Sequence, residues 1–285
     1  APALDQVVEA IHRLGPLLWT HRPESTGFLN VRLGIGDALS RCRIRLPDVD
    51  NAAPIHADQL SELQREFATV KDVPIVADLS ESGALGLCGP RGVIDGVARG
   101  VVMQLAGLHS PADLTITAFS SAQSRASWEW LEWLPHAGSA HSPLSGNHLT
   151  DSVNGGRALL SRLEDLVKQR SLDEASSTGY PFGPINPGSA GATKASNITP
   201  AVVVLVEDTA PIDRSRLTRL AERGGAVGVH VIWVATQVGS LPAACRTFLL
   251  VENESSGATV GHVRRGQHIF PVACESIEIA DSRQI

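Results

Sequence analysis

The sequence predicts an α/β protein whose sheet is mainly parallel and is covered by helices on both faces. Short, almost entirely apolar segments at Ala84–Cys88, 201–206 and 229–234 have the length of strands. Segments with apolar residues at helical spacing lie between them, and glycines stand at several of the junctions. Strands that are apolar on both sides and alternate with helices are typical of parallel sheets with two buried faces.

The first 70 residues are predicted to form a helix and strand lead-in that packs on the core. Apolar residues three and four positions apart indicate its helices, and alternation of apolar and charged residues indicates one of its strands. In chain order we predict a helix over 4–20, a strand over 28–33 that ends at a glycine turn over 34–36, an alternating strand over 41–46 and a helix over about 57–69.

Residues 71–285 are predicted to form the α/β domain itself, from runs rich in Val, Leu, Ile and Ala and from segments with helical spacing. Its predicted strands span 73–79, Ala84–Cys88, Leu114–Phe119, 201–206, 229–234 and 247–251. Its predicted helices span about 93–108, 127–134, 151–170 and 212–223. Residues 171–199 are rich in Ser, Gly, Pro and Ala, and we predict that they form a mobile insertion.

The composition argues against several classes of protein. The chain has 285 residues, of which 43% are hydrophobic, as expected for a globular protein with a substantial core. No stretch approaches the roughly 20 apolar residues of a membrane span, and the first ten residues do not resemble a signal peptide. The net charge of -6 argues against a surface devoted to nucleic acid. Because the chain starts without Met and ends abruptly, we expect a fragment of a longer protein.

The cysteines do not predict a metal site. None of the four belongs to a C-x-x-C pair, and their wide spacing disfavours both zinc binding and a disulfide framework. We expect reduced thiols at Cys42, Cys88, Cys245 and Cys274.

One strand-to-helix turn carries a degraded nucleotide motif. ATP-binding loops in this context read G-x-x-x-x-G-K-[ST]. With Gly89 as the first glycine, Gly92 also fits, but Ile94 replaces the second glycine, Asp95 the lysine and Gly96 the Ser/Thr. A carboxylate at the lysine position would repel a phosphate by about 4 kcal/mol at ~4 Å and an effective dielectric near 20. The turn is therefore either a degenerate phosphate loop or a simple glycine-rich turn, and ATP with Mg²⁺ would bind weakly if at all.

Two further segments resemble parts of an ATP-driven motor. The apolar strand 201–206 is followed by Glu207 and Asp208, and a strand that ends in acidic residues positions Mg²⁺ and water in such motors. The usual order of Asp before Glu is reversed here, and two solvated acids at a strand end remain an alternative. The strand 229–234 leads to Ala-Thr-Gln, in which Thr236 and Gln237 have a sensor-like position.

These segments carry a family resemblance. The Ala-Thr-Gln strand, its distance from the acidic strand and the order of elements resemble the FtsK/SpoIIIE superfamily. Over about 15–285 the chain is similar to the membrane-proximal domain of EccC/EssC-type ATPases, the motors of type VII secretion, and to actinobacterial FtsK/SpoIIIE proteins of cell division. The strings that carry this similarity are FLNVRLGIGD at 28–37, VPIVADL at 73–79, LHSPADL at 108–114 and WEWLEWLPH at 128–136.

The resemblance implies a RecA-like, P-loop NTPase-like fold with a degenerate nucleotide site. It implies a non-catalytic module that links the membrane part of a motor to its active ATPase modules, at the cytoplasmic face of the cell membrane. Implied partners are the adjacent modules of the same chain and other secretion-complex subunits, with a hexamer as an option for the full assembly, and no cofactor is expected. The alternative is a weakly active ATP-binding domain of a DNA translocase.

The remaining candidates are aromatic. Trp128, Trp130 and Trp133 form a dense patch that would either pack a helix onto the sheet or dock the next domain. His109 and His136 lack a third ligand at metal-site spacing, so we interpret them as structural, hydrogen-bonding histidines.

Overall fold

In a computed structural model the described residues are 1–40, 42, 54–177, 198–255 and 258–284. The predicted strand over 41–46 lies outside them except for Cys42, and so do residues 178–197 of the predicted insertion.

The described residues form ten strands and eight α-helices. The strands are β1 (Asn30–Leu39), β2 (Thr69–Asp78), β3 (Ala84–Cys88), β4 (Leu114–Phe119), β5 (Leu149–Thr150), β6 (Ala201–Glu207), β7 (Val229–Ala235), β8 (Thr247–Ser255), β9 (Ala258–Arg265) and β10 (His268–Cys274). The helices are α1 (Leu4–Arg13), α2 (Pro54–Glu66), α3 (Leu79–Ser82), α4 (Arg91–Leu108), α5 (Arg125–Trp128), α6 (Val153–Ser177), α7 (Arg214–Gly224) and α8 (Ile279–Ser282).

All ten strands belong to one sheet with the order β2-β1-β10-β9-β8-β3-β7-β6-β4-β5. From β8 to β5 every neighbouring pair is parallel, and from β2 to β8 every pair is antiparallel. Five of the nine pairings within the described residues are therefore parallel, which confirms the predicted α/β class with a mainly parallel sheet.

Helices cover both faces of the parallel half. On one face α4 packs against β1, β3, β7 and β8 through residues such as Ile94, Val101 and Leu105, and α1 packs on α4. On the other face α6 and α7 contribute Leu159, Leu163 and other apolar residues to a second core. The central strands are consequently buried on both sides, as their lack of polar alternation predicts.

Helix α4 is the central helix of the fold, and almost all of it is buried. It begins directly after Pro90, whose fixed φ suits the start of a helix. Near the C-terminal end of α4, Gly107 lets α1 approach closely, because a Cβ at this position would lie 2.6 Å from Val7 Cγ1. The predicted start at about 93 is two residues late, and those two residues matter for the site described below.

The glycine turn predicted over 34–36 is wrong, because β1 continues through both glycines to Leu39. A Cβ at Gly34 would lie 2.0 Å from the carbonyl oxygen of Ala273, and a Cβ at Gly36 would lie 2.0 Å from that of Pro271. The two glycines therefore permit the close approach of β10 instead of ending the strand.

Two predicted helices have different ends in the structure. Helix α1 ends at Arg13 and not near residue 20, since Leu14 takes a left-handed conformation with φ 50° at the C-cap. Helix α6 continues to Ser177, so the first residues of the predicted insertion are helical. The division of the chain at residue 70 stays a prediction, and β2 runs across it. Within the described residues no helix is long and apolar enough to cross a membrane.

Candidate functional site

The three motor-like segments meet at one edge of the sheet. Strand β7 lies between β3 and β6 and is parallel to both, with Cys88 opposite Ala235 and Glu207 opposite Val234. The carboxyl ends of the three strands therefore lie side by side, where open parallel sheets bind ligands. The topology brings the turn after β3, the acidic pair after β6 and Thr236 together, as their positions in the sequence predict.

The turn after β3 is too short to form a loop. Only Gly89 and Pro90 separate β3 from the first residue of α4. The backbone N–H groups of Val93 and Ile94 donate to the Pro90 carbonyl at 3.0 and 2.9 Å, and that of Gly89 donates to Ala235 at 3.1 Å. These amides already have partners within the fold, whereas a phosphate loop directs its amides at the ligand.

The glycines of the motif differ in whether the packing requires a glycine at their position. A Cβ at Gly89 would lie 2.9 Å from both Cβ and the carbonyl oxygen of Val251, so the close approach of β8 requires glycine there. A Cβ at Gly92 would meet nothing within 4 Å. Gly96 lies inside α4, and its carbonyl accepts a hydrogen bond from Ile277 at 3.1 Å. Only Gly89 is needed by the packing, and it serves the sheet.

Arg91 is the residue that the sequence analysis missed. Its Nη1 lies 3.0 Å from Glu207 Oε1, and its Nη2 lies 2.7 Å from Asp208 Oδ1. A longer contact of 3.4 Å joins Nη1 to Asp95 Oδ1, one helical turn along α4. The Arg91 side chain is 31% exposed, while that of Glu207 is fully buried. Arg91 thus holds three carboxylates together at the edge of the sheet.

The two acidic residues after β6 have further donors. Glu207 also accepts hydrogen bonds from Trp128 Nε1, at 2.8 Å to Oε1, and from the Ser124 hydroxyl at Oε2. Asp208 Oδ2 accepts the backbone N–H of Thr236 at 3.1 Å. Of the sensor-like pair, Thr236 is therefore part of the cluster, and Gln237 is exposed at the end of β7. The acidic pair is embedded in a protein network, unlike two solvated acids.

The cluster contains more negative than positive charge, and this affects Asp95. Burial raises the pKa of Asp95 to about 6, with Arg91 opposing the shift and Glu207 adding to it. Burial alone would lower the pKa of Arg91, but the three carboxylates outweigh it and raise that pKa. Asp95 therefore ionises at a higher pH than an ordinary carboxyl group, whereas the sequence alone suggested only a repulsive charge at the lysine position.

The three tryptophans of the aromatic patch have different environments. Trp128 and Trp130 are buried, at 0% and 2% exposure, and only Trp133 is exposed, at 87%. Packing into the core accounts for the first two, and Trp133 alone is available to a partner. Trp130 and Trp133 border an apolar cavity of about 650 Å³ between α1, α4 and the segment that follows α5.

The two histidines take the structural role that the sequence predicts. The Leu29 N–H donates to His109 Nε2 at 3.0 Å, so His109 Nδ1 carries the proton and donates to Leu105 at 2.9 Å. His136 Nε2 donates to the His109 carbonyl at 2.9 Å. Burial lowers the pKa of His109 to about 3. Within the described part of the chain no group of three or more His, Cys, Asp or Glu is placed to hold a metal ion.

Comparison with curated proteins identifies relatives along nearly the whole chain. The ESX secretion system protein EccC of Geobacillus thermodenitrificans is 27% identical over 272 residues, which cover 94% of this chain and 17% of that protein. The ESX-4 secretion system protein EccC4 of Mycobacterium tuberculosis is 35% identical over 125 residues, which cover 43% of this chain and 10% of that protein. The chain is similar to the EccC/EssC secretion proteins along nearly its whole length. No protein-family model matches it.

Solved structures show the same fold. EssC (ATPases 2 and 3) from Geobacillus thermodenitrificans superposes with a TM-score of 0.60 at 15% identity, over 94% of this chain and 50% of that one. The cytoplasmic domain of the type VII secretion ATPase EccC of Thermomonospora curvata gives a TM-score of 0.50 at 14% identity, over 92% of this chain and 30% of that one. The curated relatives confirm the predicted resemblance to EccC/EssC secretion ATPases, and the solved structures confirm the ATPase-like fold. The chain spans about a sixth of the Geobacillus relative.

Proposed function

We propose that this domain is a non-catalytic, ATPase-like module of a type VII secretion ATPase, and that it links the membrane part of the motor to the active ATPase modules. The observation that carries the proposal is Arg91, which binds Glu207 and Asp208 at the place where a motor would hold Mg²⁺ and nucleotide. The domain would then act through protein–protein contacts.

The residues at this edge do not fit a magnesium nucleotide. A motor places a lysine on the phosphates, a hydroxyl on Mg²⁺ and free loop amides around both. Here the only cation bound to the cluster by ion pairs in the described residues is Arg91, and it is bound to carboxylates. The amides of Val93 and Ile94 are bonded to Pro90. The lysine and the hydroxyl that a nucleotide would need are therefore missing, and the amides of Val93 and Ile94 are already used.

The internal ion pairs also oppose the entry of a metal ion. A cation at Glu207 and Asp208 would have to displace the guanidinium group or lie next to it. Displacement would leave Arg91 without its partners in a largely buried place, and removal of one partner from a buried ion pair typically costs about 3–5 kcal/mol. Charge repulsion between Arg91 and a divalent ion would oppose the second arrangement.

The partners follow from the relatives. The Geobacillus structure contains ATPases 2 and 3 in one chain, and this domain covers 50% of that chain. We therefore propose the adjacent modules of its own chain as the first partners, with other secretion-complex subunits and a hexameric assembly as further ones. In this proposal the domain lies at the cytoplasmic face of the membrane.

Isothermal titration calorimetry with ATP and Mg²⁺ tests the proposal. We expect no binding heat at millimolar nucleotide for the wild-type domain. A micromolar dissociation constant that is lost in Glu207→Ala would overturn the proposal and support a weakly active ATP-binding domain. Arg13→Met is the matched control, because Arg13 pairs with Glu9 on the surface of α1 and not with the carboxylates of the cluster.

A further inference from the structure

Glu207 connects the motor-like edge of the sheet to a different part of the molecule. Besides Arg91, its carboxylate accepts hydrogen bonds from Ser124 and Trp128. Ser124 is the N-cap of α5, and Trp128 is its last residue. Both donors therefore belong to the segment 124–136, which consists of α5 and two short 3-10 turns.

The same segment forms one wall of the apolar cavity. Its contribution to the lining consists of Glu129, Trp130, Trp133, Leu134, Pro135 and His136. The opposite wall comes from α1 and α4, through residues such as Ile11 and Met103. The cavity has a volume of about 650 Å³, so the segment has few packing partners on this side. Its position must then be fixed from its other contacts.

Apolar packing of Trp128, Trp130 and Leu131 in the core holds the segment, and polar contacts add to that packing. Helix α5 has four residues, and a helix of that length is not stable by itself. Arg283 pairs with Glu129 at 2.6 Å, but both side chains are 47% exposed, and such surface pairs are weak. His136 holds the far end through its bond to His109. At the near end, Ser124 and Trp128 donate hydrogen bonds to Glu207, which is fully buried and charged. Hydrogen bonds to a charged group are stronger than those between neutral groups.

We infer that Glu207 is a positioning residue for the wall of this cavity: it holds segment 124–136 in place and thereby sets the shape of the cavity. The inference deepens the proposed function and rests on it in one respect, namely that Glu207 has no catalytic task. Glu207, at the end of a strand that is acidic in motors, would then determine the shape of the apolar cavity next to the exposed Trp133.

Asp208 provides a matched control on the adjacent position. Its carboxylate also binds Arg91 and accepts the Thr236 N–H, and among the described residues it makes no hydrogen bond or ion pair to the segment 124–136. Substitution of Asp208 therefore disturbs the ion-pair cluster to a similar degree while leaving both bonds between Glu207 and the segment in place.

Hydrogen exchange measured by mass spectrometry tests the inference. In Glu207→Ala we expect exchange of the amides in 124–136 to become about 10- to 100-fold faster, as the loss of hydrogen bonds to a buried charge predicts. In Asp208→Ala we expect no change in that segment. Trp128→Phe keeps an aromatic ring, but it removes the N–H donor and reduces the side-chain volume, so it should give a smaller increase in the same peptides even if Glu207→Ala fails to fold.

A second readout follows the cavity itself. With 5-fluorotryptophan in the protein, we expect the ¹⁹F resonances of Trp130 and Trp133 to shift in Glu207→Ala and Trp128→Phe and to stay in Asp208→Ala. Glu207→Gln retains an acceptor oxygen and should restore most of the protection. Unchanged exchange in Glu207→Ala, an equal increase in Asp208→Ala, or a uniform increase over the whole chain would overturn the inference. ATP binding by the wild-type domain would instead overturn the proposed function, while faster exchange in Glu207→Ala would still show that Glu207 positions the segment.

Discussion

Arg91 Nη2 lies 2.7 Å from Asp208 Oδ1, although the two residues are 117 positions apart in the chain. The contact joins the first residue of α4 to the residue after β6, across the end of β7. In a nucleotide-binding motor the phosphates and the metal ion occupy the space between these two elements. In this domain a side chain of the protein occupies that place, so the edge of the sheet is closed by its own charges.

Removal of Arg91 should destabilise the fold. In Arg91→Met the carboxylates of Glu207, Asp208 and Asp95 lose their ion-pair partner while they remain largely buried. We expect the free energy of unfolding to fall by about 2–4 kcal/mol, less than for a fully buried pair because Arg91 is partly exposed. Urea denaturation at pH 7.5 measures the change. Arg13→Met should cost less than about 1 kcal/mol, and equal losses in the two variants would contradict this prediction.

Asp95 should make stability depend on pH in an unusual direction. Burial raises its pKa from 3.8 to about 6 in the folded protein. A raised folded pKa gives a stability contribution that is full below pH 3.8 and is lost as the pH rises through about 6. Asp95→Asn should therefore be more stable than the wild type at pH 7.5, by up to about 3 kcal/mol, and the difference should shrink towards pH 4. Parallel urea titrations of both proteins measure that difference, and a constant difference from pH 4 to 8 would refute the prediction.

His230 should act in the opposite direction. Burial lowers its pKa from 6.5 to about 4, and its Nδ1 lies 3.0 Å from the Leu79 carbonyl. A lowered folded pKa means that stability present above pH 6.5 is lost as the pH falls, by about 2 kcal/mol at pH 5. His230→Gln keeps a donor for Leu79 and should reduce the slope of stability against pH between 6.5 and 5 by about one proton. A slope that is the same in His230→Gln and in the wild type would contradict this prediction.

The fold could be predicted from the sequence because its signals are local. The apolar runs at Ala84–Cys88 and Leu114–Phe119 have the observed bounds, and the alternation of strands and helices gives the parallel half of the sheet. The turn predicted at Gly34 and Gly36 is wrong, because the sequence does not distinguish a glycine in a turn from a glycine that lies against a neighbouring strand. The position of β10 decides between them.

The chemistry of the site could be predicted only in part. Glu207, Asp208 and Thr236 were found because they follow apolar strands. The pairing of Arg91 with Glu207 and Asp208 could not be found, since no local pattern joins residues more than 100 positions apart. One signal was present: a proline before Arg91 favours the start of a helix there, and this start leaves no room for a loop.

The position at which α4 begins changes the expected effect of restoring the phosphate-loop residues on ATP binding. The alignment of 89–96 with a phosphate loop predicts that Ile94→Gly, Asp95→Lys and Gly96→Thr together create ATP binding. In the structure these positions lie in the second turn of α4, after a two-residue turn, and Ile94 is buried in the core. We expect the triple variant to show no binding heat with ATP and Mg²⁺, although circular dichroism should be used to check that it folds. A micromolar dissociation constant would mean that the first turn of α4 unwinds to form a loop.

Trp133 separates the two interpretations of the aromatic patch. Its side chain is 87% exposed, so Trp133→Ala should change the free energy of unfolding by less than about 0.5 kcal/mol. Trp128 is fully buried and donates to Glu207, so Trp128→Ala should cost about 3–5 kcal/mol. Denaturation of the isolated domain measures both values. If Trp133 docks an adjacent module, Trp133→Ala should also weaken the association of this domain with that module, measured by calorimetry between separately purified modules. Because the buried tryptophans cannot reach a partner without unfolding, a loss of affinity at full stability is expected from Trp133 alone among the three.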